Sequence, residues 1–249
     1  MEKITVPDIA ELKNNGRKIV MLTAYDYPFA KIIDDAGVDI ILVGDSLGNV
    51  VLGYENTLPV SMAEMLHHFK AVKRGVNRAL LVADFPLSGF RDGFANVKKL
   101  VKAGAEAVKI EGIRHLPLIK QCIKAGIPVM GHIGFTPQDI QKFGGARMQG
   151  KTPAEVKCLI KEAKLLEKTG VFALVVELTS PEATRQVTEA VSIPTISCGA
   201  GPYANGQVLV LYDLIGLTQG KIPSFAKQLI NLSTLTKGAV QQYVQEVKK

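Results

Sequence analysis

Eight short apolar runs, spread along the whole chain and each followed by a stretch of helical periodicity, constrain this sequence more than any other feature. The runs are Lys18–Asp26, Asp39–Ser46, Arg78–Pro86, Ala105–Gly112, Ile127–Gly134, Val171–Leu178, Ile193–Ala200 and, weakest, Gly206–Tyr212. Strand followed by helix, repeated, is the pattern of a parallel sheet with crossover helices. Continuous Val, Ile, Leu and Ala predicts strands covered on both faces. Such units can close into a barrel or stay open as a doubly wound sheet. The count favours closure: 249 residues fit one (β/α)8 TIM barrel as a single domain over 1–249. An open nucleotide-binding sheet also calls for a glycine-rich phosphate loop after its first strand, and Thr23-Ala24-Tyr25-Asp26-Tyr27-Pro28 is not one.

Punctuation between the runs agrees. Gly37, Gly75, Gly104, Gly126 and Gly170 each precede a strand, where a helix end wants a left-handed residue. Ser61-Met62-Ala63-Glu64 and Thr152-Pro153-Ala154-Glu155 read as capping boxes, and Ser180-Pro181 repeats the cap-then-proline start. Met65, Phe69 and Val72 form the apolar stripe of the helix after Ser61. The irregular stretch from Phe135 to Lys151, with Gly144, Gly145 and Gly150, is a candidate mobile loop over the site.

Composition removes several function classes. No apolar run is long enough to span a bilayer and the first residues lack a secretory h-region, which predicts a soluble cytoplasmic protein with no membrane partner. Cys122, Cys158 and Cys198 lie far apart without disulfide or zinc spacing, and are read as reduced, mostly packed thiols. The net charge of +7, from 30 basic and 23 acidic residues, is dispersed. With no motif beside it, dispersed charge argues against nucleic acid; a polyanionic small molecule or a merely solvated surface accounts for it.

In a barrel of this kind the active site forms at the C-terminal ends of the strands. Four of those ends are acidic: Asp45, Asp84, Glu111 and Glu177 each follow apolar or small residues. An unpaired charge there costs several kcal/mol to desolvate, so something positive should meet them. Carboxylates converging from neighbouring strands suit a hard divalent cation such as Mg²⁺. Lys109, two residues before Glu111, shares its strand face and can hold a substrate carboxylate beside the metal. The bland alternative for any one of these acids is a cap on the following helix. His132 ends the fifth run and could bond substrate or orient a carboxylate, whereas His67 and His68 sit on a helix away from the strand tips.

Val43-Gly44-Asp45-Ser46-Leu47-Gly48 followed by Thr57-Leu58-Pro59-Val60 resembles the opening signature of the ketopantoate hydroxymethyltransferases. Ala83-Asp84-Phe85-Pro86, Val108-Lys109-Ile110-Glu111-Gly112, the run from Gly131 to Gln138, Gly199-Ala200-Gly201, Asn205 to Val210 and Ile222 to Lys227 follow in that family's order, so the resemblance spans about Thr23 to Val247. It implies that Asp45, Asp84 and Glu111 hold Mg²⁺, that Ser46 and Lys109, with Asp45 and Asp84, bind 3-methyl-2-oxobutanoate, and that Glu177 is the proton acceptor. It further implies 5,10-methylenetetrahydrofolate as co-substrate, 2-dehydropantoate as product on the route to pantothenate, and a homo-oligomer, octamer to decamer. Asn205, Tyr212, Ser197-Cys198, Thr179-Ser180 and Ala146 depart from the family pattern; the metal set does not. A related Mg-dependent oxoacid lyase or mutase, and a non-catalytic scaffold paralogue, are the competing readings.

Overall fold

The computed structural model describes residues 2–220 and 222–249. Eight parallel strands close into a barrel in sequential order, the last pairing with the first. They are β1 (Ile19–Thr23), β2 (Ile40–Val43), β3 (Leu80–Asp84), β4 (Ala107–Glu111), β5 (Val129–Gly134), β6 (Ala173–Glu177), β7 (Thr195–Cys198) and β8 (Gly206–Leu209), one within each apolar run. The helices are α1 (Val6–Asn14), α2 (Tyr27–Asp35), α3 (Leu47–Val50), α4 (Met62–Lys73), α5 (Phe94–Lys102), α6 (Leu116–Lys124), α7 (Ile140–Phe143), α8 (Pro153–Thr169), α9 (Pro181–Ala190), α10 (Leu211–Leu214) and α11 (Leu232–Val247).

Alternate residues of each strand face opposite ways, and two apolar cores result. Inside the barrel, Met21, Ile40, Leu42, Leu80, Val82, Met130, Val175 and Ile196 pack together, and α1 closes their lower end with the fully buried Ile9. Outside, Ile41, Val43, Leu81, Val108, Ile110, Leu174 and Val176 meet Met65, Phe69, Val72, Leu100, Ile119 and Leu166 from the helices. Each such side chain contributes roughly 1.5–3 kcal/mol on burial. Complete burial runs the length of β2, β3 and β4. At β1 and β8 it fails: Val20 is 48% exposed and Gln207 faces water, so the expectation of strands covered on both faces does not hold at this seam.

Local signals behave as their chemistry requires. Ser61 and Thr152 accept from the backbone N–H of Glu64 and Glu155, and both glutamates answer with bonds to the cap N–H. Ser180 accepts from Ala183 N. Gly37, Gly104, Gly126 and Gly170 take positive φ, whereas Gly75 does not. A Cβ on Gly75 would lie 2.7 Å from the Tyr27 carbonyl and 3.0 Å from Lys31 N, so glycine there permits close packing of α4 on α2. Among the described residues no helix is long and apolar enough to cross a membrane.

Candidate active site

Parallel register carries the strand-tip residues to one end of the barrel. Asp84 lies beside Lys109, Glu111 beside His132, and Glu177 beside Cys198. Asp45 arrives from the turn after β2, held by its backbone N–H to Asp84 Oδ2 at 3.2 Å. One ligand oxygen from each of Asp45, Asp84 and Glu111 lies within 4.8 Å of the others, and all three residues are buried. Lys109 Nζ donates to both Asp84 oxygens at 2.8 Å and to Glu111 Oε1 at 3.3 Å.

Three buried carboxylates thus share one ammonium, and the imbalance is visible in their protonation. Burial, then Asp84 and Glu111, push the Asp45 carboxyl well above the usual carboxylate range. Burial acts the same way on Glu111, but Lys109 and His132 outweigh it and hold that group at about 2. Burial also opposes the Lys109 charge, and Asp84, Glu111 and Asp45 more than compensate, keeping the ammonium fully charged. A divalent cation among these oxygens would offset the burial and repulsion that raise the Asp45 carboxyl, and an all-oxygen donor set suits Mg²⁺. The residues present fit that ion.

Glu177 stands across the cavity at the end of β6. Burial raises its carboxyl to about 7, with His132 opposing the shift. The fully buried His132 is wedged between two acids, Nδ1 3.4 Å from Glu111 Oε1 and Nε2 3.4 Å from Glu177 Oε2, and neither nitrogen makes a hydrogen bond. The backbone fixes Glu177 from both sides: its carbonyl accepts from Phe135 N at 2.9 Å, and Leu178 N donates to the Cys198 carbonyl at 2.9 Å. Leu178 has φ 40°, the one positive value outside glycine among the described residues. Strain of this kind, of order 1–3 kcal/mol, persists only where surroundings over-determine it. Gly134 admits the close approach, since a Cβ there would lie 2.3 Å from the Glu177 carbonyl oxygen.

Asp45, Ser46, Asp84, Lys109, Glu111 and Glu177 all line one cavity of about 640 Å³. The residues singled out from sequence therefore come together. Others were not foreseen. Gln138 donates from Nε2 to Asp45 Oδ2 at 3.2 Å and to the Phe85 carbonyl at 2.9 Å, while its backbone N–H reaches Glu111 Oε2 at 3.2 Å. It sits in the stretch expected to be irregular, which instead turns through a 3-10 segment (Pro137–Asp139) into α7. The signal was Thr136-Pro137, another cap followed by proline. Tyr25, fully buried, shares a 2.8 Å hydrogen bond with Ser46 Oγ. Cys198 lines the cavity beside Glu177, Cys122 is buried and Cys158 exposed, all three as free thiols. His68 Nδ1 lies 2.7 Å from the Tyr25 carbonyl, in packing rather than at the cavity.

Comparisons with known proteins identify the family of the chain. Residues 3–249 match the family model described as ketopantoate hydroxymethyltransferase. The 3-methyl-2-oxobutanoate hydroxymethyltransferase of Caldivirga maquilingensis is 51% identical over 99% of this chain and 94% of its own length. That of Pyrobaculum aerophilum is 52% identical over 92% and 89%. Among solved structures, phosphoenolpyruvate phosphomutase from Streptomyces platensis superposes with TM-score 0.67 at 13% identity, covering 98% of this chain and 88% of that one. A phosphonopyruvate hydrolase solved with oxalate and Mg²⁺ superposes with TM-score 0.63 at 14% identity, covering 98% and 87%. Likeness at that identity concerns the fold alone. With a whole-chain family match and relatives at about half identity, the chain belongs to the ketopantoate hydroxymethyltransferase family.

Proposed function

We propose that this chain transfers a hydroxymethyl group from 5,10-methylenetetrahydrofolate to 3-methyl-2-oxobutanoate, giving 2-dehydropantoate in the cytoplasm, as a homo-oligomer of eight to ten copies. One observation carries the chemistry: three carboxylates within 4.8 Å, one lysine among them, and a raised carboxyl facing them in the same cavity. Asp45, Asp84 and Glu111 would hold the metal. Mg²⁺ held there supplies Lewis-acid stabilisation of negative charge on the keto oxygen of the oxoacid.

The protein's own groups do the rest. Lys109 and Ser46 orient the oxoacid carboxylate and keep C3 toward Glu177. With a carboxyl near 7, Glu177 is ionised in part at neutral pH and basic enough to take the C3 proton. The clamped backbone holds Glu177 in place, and His132 Nε2 lies 3.4 Å from its carboxylate. The electron pair released at C3 forms the new bond to the folate-borne methylene carbon; both C–N bonds of that carbon break, one water molecule supplies the hydroxyl oxygen, and the C3 proton and one water proton end on the two nitrogens of the departing tetrahydrofolate. Asn49, Tyr54, Gln219 and Phe225 line the rest of the cavity and leave room for the one-carbon donor.

The test is product formation. Purified protein with Mg²⁺ and the oxoacid should form 2-dehydropantoate only when methylenetetrahydrofolate is added. Proton exchange at C3 without product in the complete mixture would support an oxoacid lyase or mutase instead, and neither exchange nor product a scaffold.

A further inference from the structure

One buried carboxylate in the cavity has no part in the chemistry proposed above. Asp213 lies in α10, directly after β8, and lines the same space as the three clustered acids and Glu177. Only 5% of it is exposed. Thr218 Oγ1 donates to its Oδ1 at 2.6 Å, and among the described residues nothing donates to Oδ2. A structural acid in this fold looks different: Asp34 is held by three backbone N–H groups. Asp213 caps no helix and has a single hydroxyl for company. Burial raises its carboxyl, against the pull of Thr218. An ionised carboxylate can only accept hydrogen bonds, and one so enclosed is costly to desolvate until donors meet it. The cavity is the space left open for them.

The oxoacid cannot supply those donors. Its carboxylate and keto oxygen are acceptors, and Lys109 with the metal answers them. A reduced folate can. Its 2-amino-4-oxopyrimidine ring carries an amino group and N3–H side by side, two N–H donors spaced like those of a guanidinium, which a carboxylate accepts bidentately. Thr218 takes one lone pair of Oδ1 and leaves sites on both oxygens. The surroundings suit a flat heterocycle. The oxoacid alone is small for a cavity of about 640 Å³, a volume that takes a drug-sized ligand. Phe225 lines the cavity as well, its ring so close to Gly199 that a Cβ there would lie 2.5 Å from Cδ1. Asp213 also stands near the reacting end. Burial raises the Cys198 thiol, and the charges of both Glu177 and Asp213 add to that shift, so the two carboxylates act on one side chain.

We infer that Asp213 selects the one-carbon donor: steadied by Thr218, its carboxylate accepts from the amino group and N3–H of the reduced pterin. The inference rests on the folate reading under Proposed function and adds to it the residue that recognises the folate. The edge it grips belongs to the ring opposite the one-carbon bridge, so binding there leaves the reacting carbon free for C3 of the oxoacid.

Binding of tetrahydrofolate to the full chain with Mg²⁺, followed by equilibrium dialysis, tests it. Asp213→Asn should raise the dissociation constant about 10- to 100-fold, the loss of one or two charge-assisted hydrogen bonds, while the dissociation constant of the oxoacid stays within about twofold. A general disturbance of the cavity would weaken both. The sharper reading uses 2-desamino-2-methyl-tetrahydrofolate, which lacks the amino donor. Wild-type protein should bind it about 10- to 100-fold more weakly than tetrahydrofolate, and Asp213→Asn should bind the two nearly alike. Thr218→Val, which frees the carboxylate without altering it, should lose part of the same discrimination, and it serves the comparison if Asp213→Asn folds poorly. Wild-type protein that binds both folates equally, or variants that discriminate as wild type does, overturns the inference while the functional reading stands. Wild-type protein that neither binds tetrahydrofolate nor forms product overturns both.

Discussion

Carboxylates are buried at both ends of the barrel, and the two ends treat them differently. Below the strands, Asp34 accepts from the backbone N–H groups of Asn77 at 2.9 Å, Arg78 at 3.0 Å and Ala79 at 2.7 Å, while Asp39 accepts from Val20 N at 2.9 Å with the Arg78 guanidinium nearby. Every charge there has its partners within the protein. At the mouth, Asp45, Asp84 and Glu111 divide one lysine, and the Asp45 carboxyl is pushed well above the usual carboxylate range. The fold satisfies the acids at the lower end, and leaves short of positive charge the acids for which a ligand is proposed.

Substitutions can break that contrast. The largest effect belongs to the mouth: Glu111→Gln should lower turnover on the order of a thousandfold, as loss of a major electrostatic element does, while leaving thermal stability near wild type. Kinetics beside thermal melting checks it. A melting point falling with the activity would make Glu111 a structural acid like Asp34. The converse is Asp34→Ala, which strands three backbone donors and should cost about 3 kcal/mol of stability with little change in activity per folded molecule, read by urea unfolding and active-site titration.

Acidity sharpens the contrast further. Glu177 titrates at about 7 in the folded protein, above its ordinary value of 4.5. The folded state therefore binds more protons than the unfolded state in that window, and stability falls as pH rises from about 4.5 to about 7. Asp45 adds to this trend, whereas Glu111, held at about 2, contributes stability that is lost only below the ordinary carboxylate range. Melting temperature against pH without metal should slope downward across that window, and Mg²⁺ should flatten the slope. A flat profile without metal would mean that the mouth is already balanced. The rate should fall as pH drops below about 7, because Glu177 must be ionised to act.

The smallest effect is a proton count. Since the Asp45 carboxyl is pushed well above the usual carboxylate range without metal, Mg²⁺ binding should release protons, up to about one, at pH values where Asp45 still holds its own. Calorimetry in buffers of different ionisation heat measures it, and Asp45→Asn should abolish the release.

Much of this was legible in the sequence, and the reason is physical. A strand covered on both faces must be apolar throughout, so β2 to β6 announced themselves, and a carboxylate just past such a run stands out because burying it is costly. Asp45, Asp84, Glu111 and Glu177 were found that way, and the family motifs supplied their roles. What escaped depends on closure of the barrel in three dimensions. Gln138 reaches Asp45 across 93 residues. His132 was singled out as a group that could orient a carboxylate, but its two acidic neighbours emerge only when β4, β5 and β6 lie side by side. Gly75 reads as a helix stop and acts as a contact point between helices. The exposed seam at β1 and β8 was hidden because the apolar residues of a strand look the same in sequence whether or not a helix covers them.

The account rests on a metal held at the mouth and a base aimed at the carbon beside it. The most direct measurement is deuterium uptake at C3 of 3-methyl-2-oxobutanoate in heavy water, followed by nuclear magnetic resonance. Wild-type protein with Mg²⁺ should exchange that position, chelation should stop the exchange, and Glu177→Gln should reduce it by about 10²–10⁴-fold while Mg²⁺ binding persists. Exchange that survives Glu177→Gln at the wild-type rate, or proceeds equally well after chelation, would contradict the account.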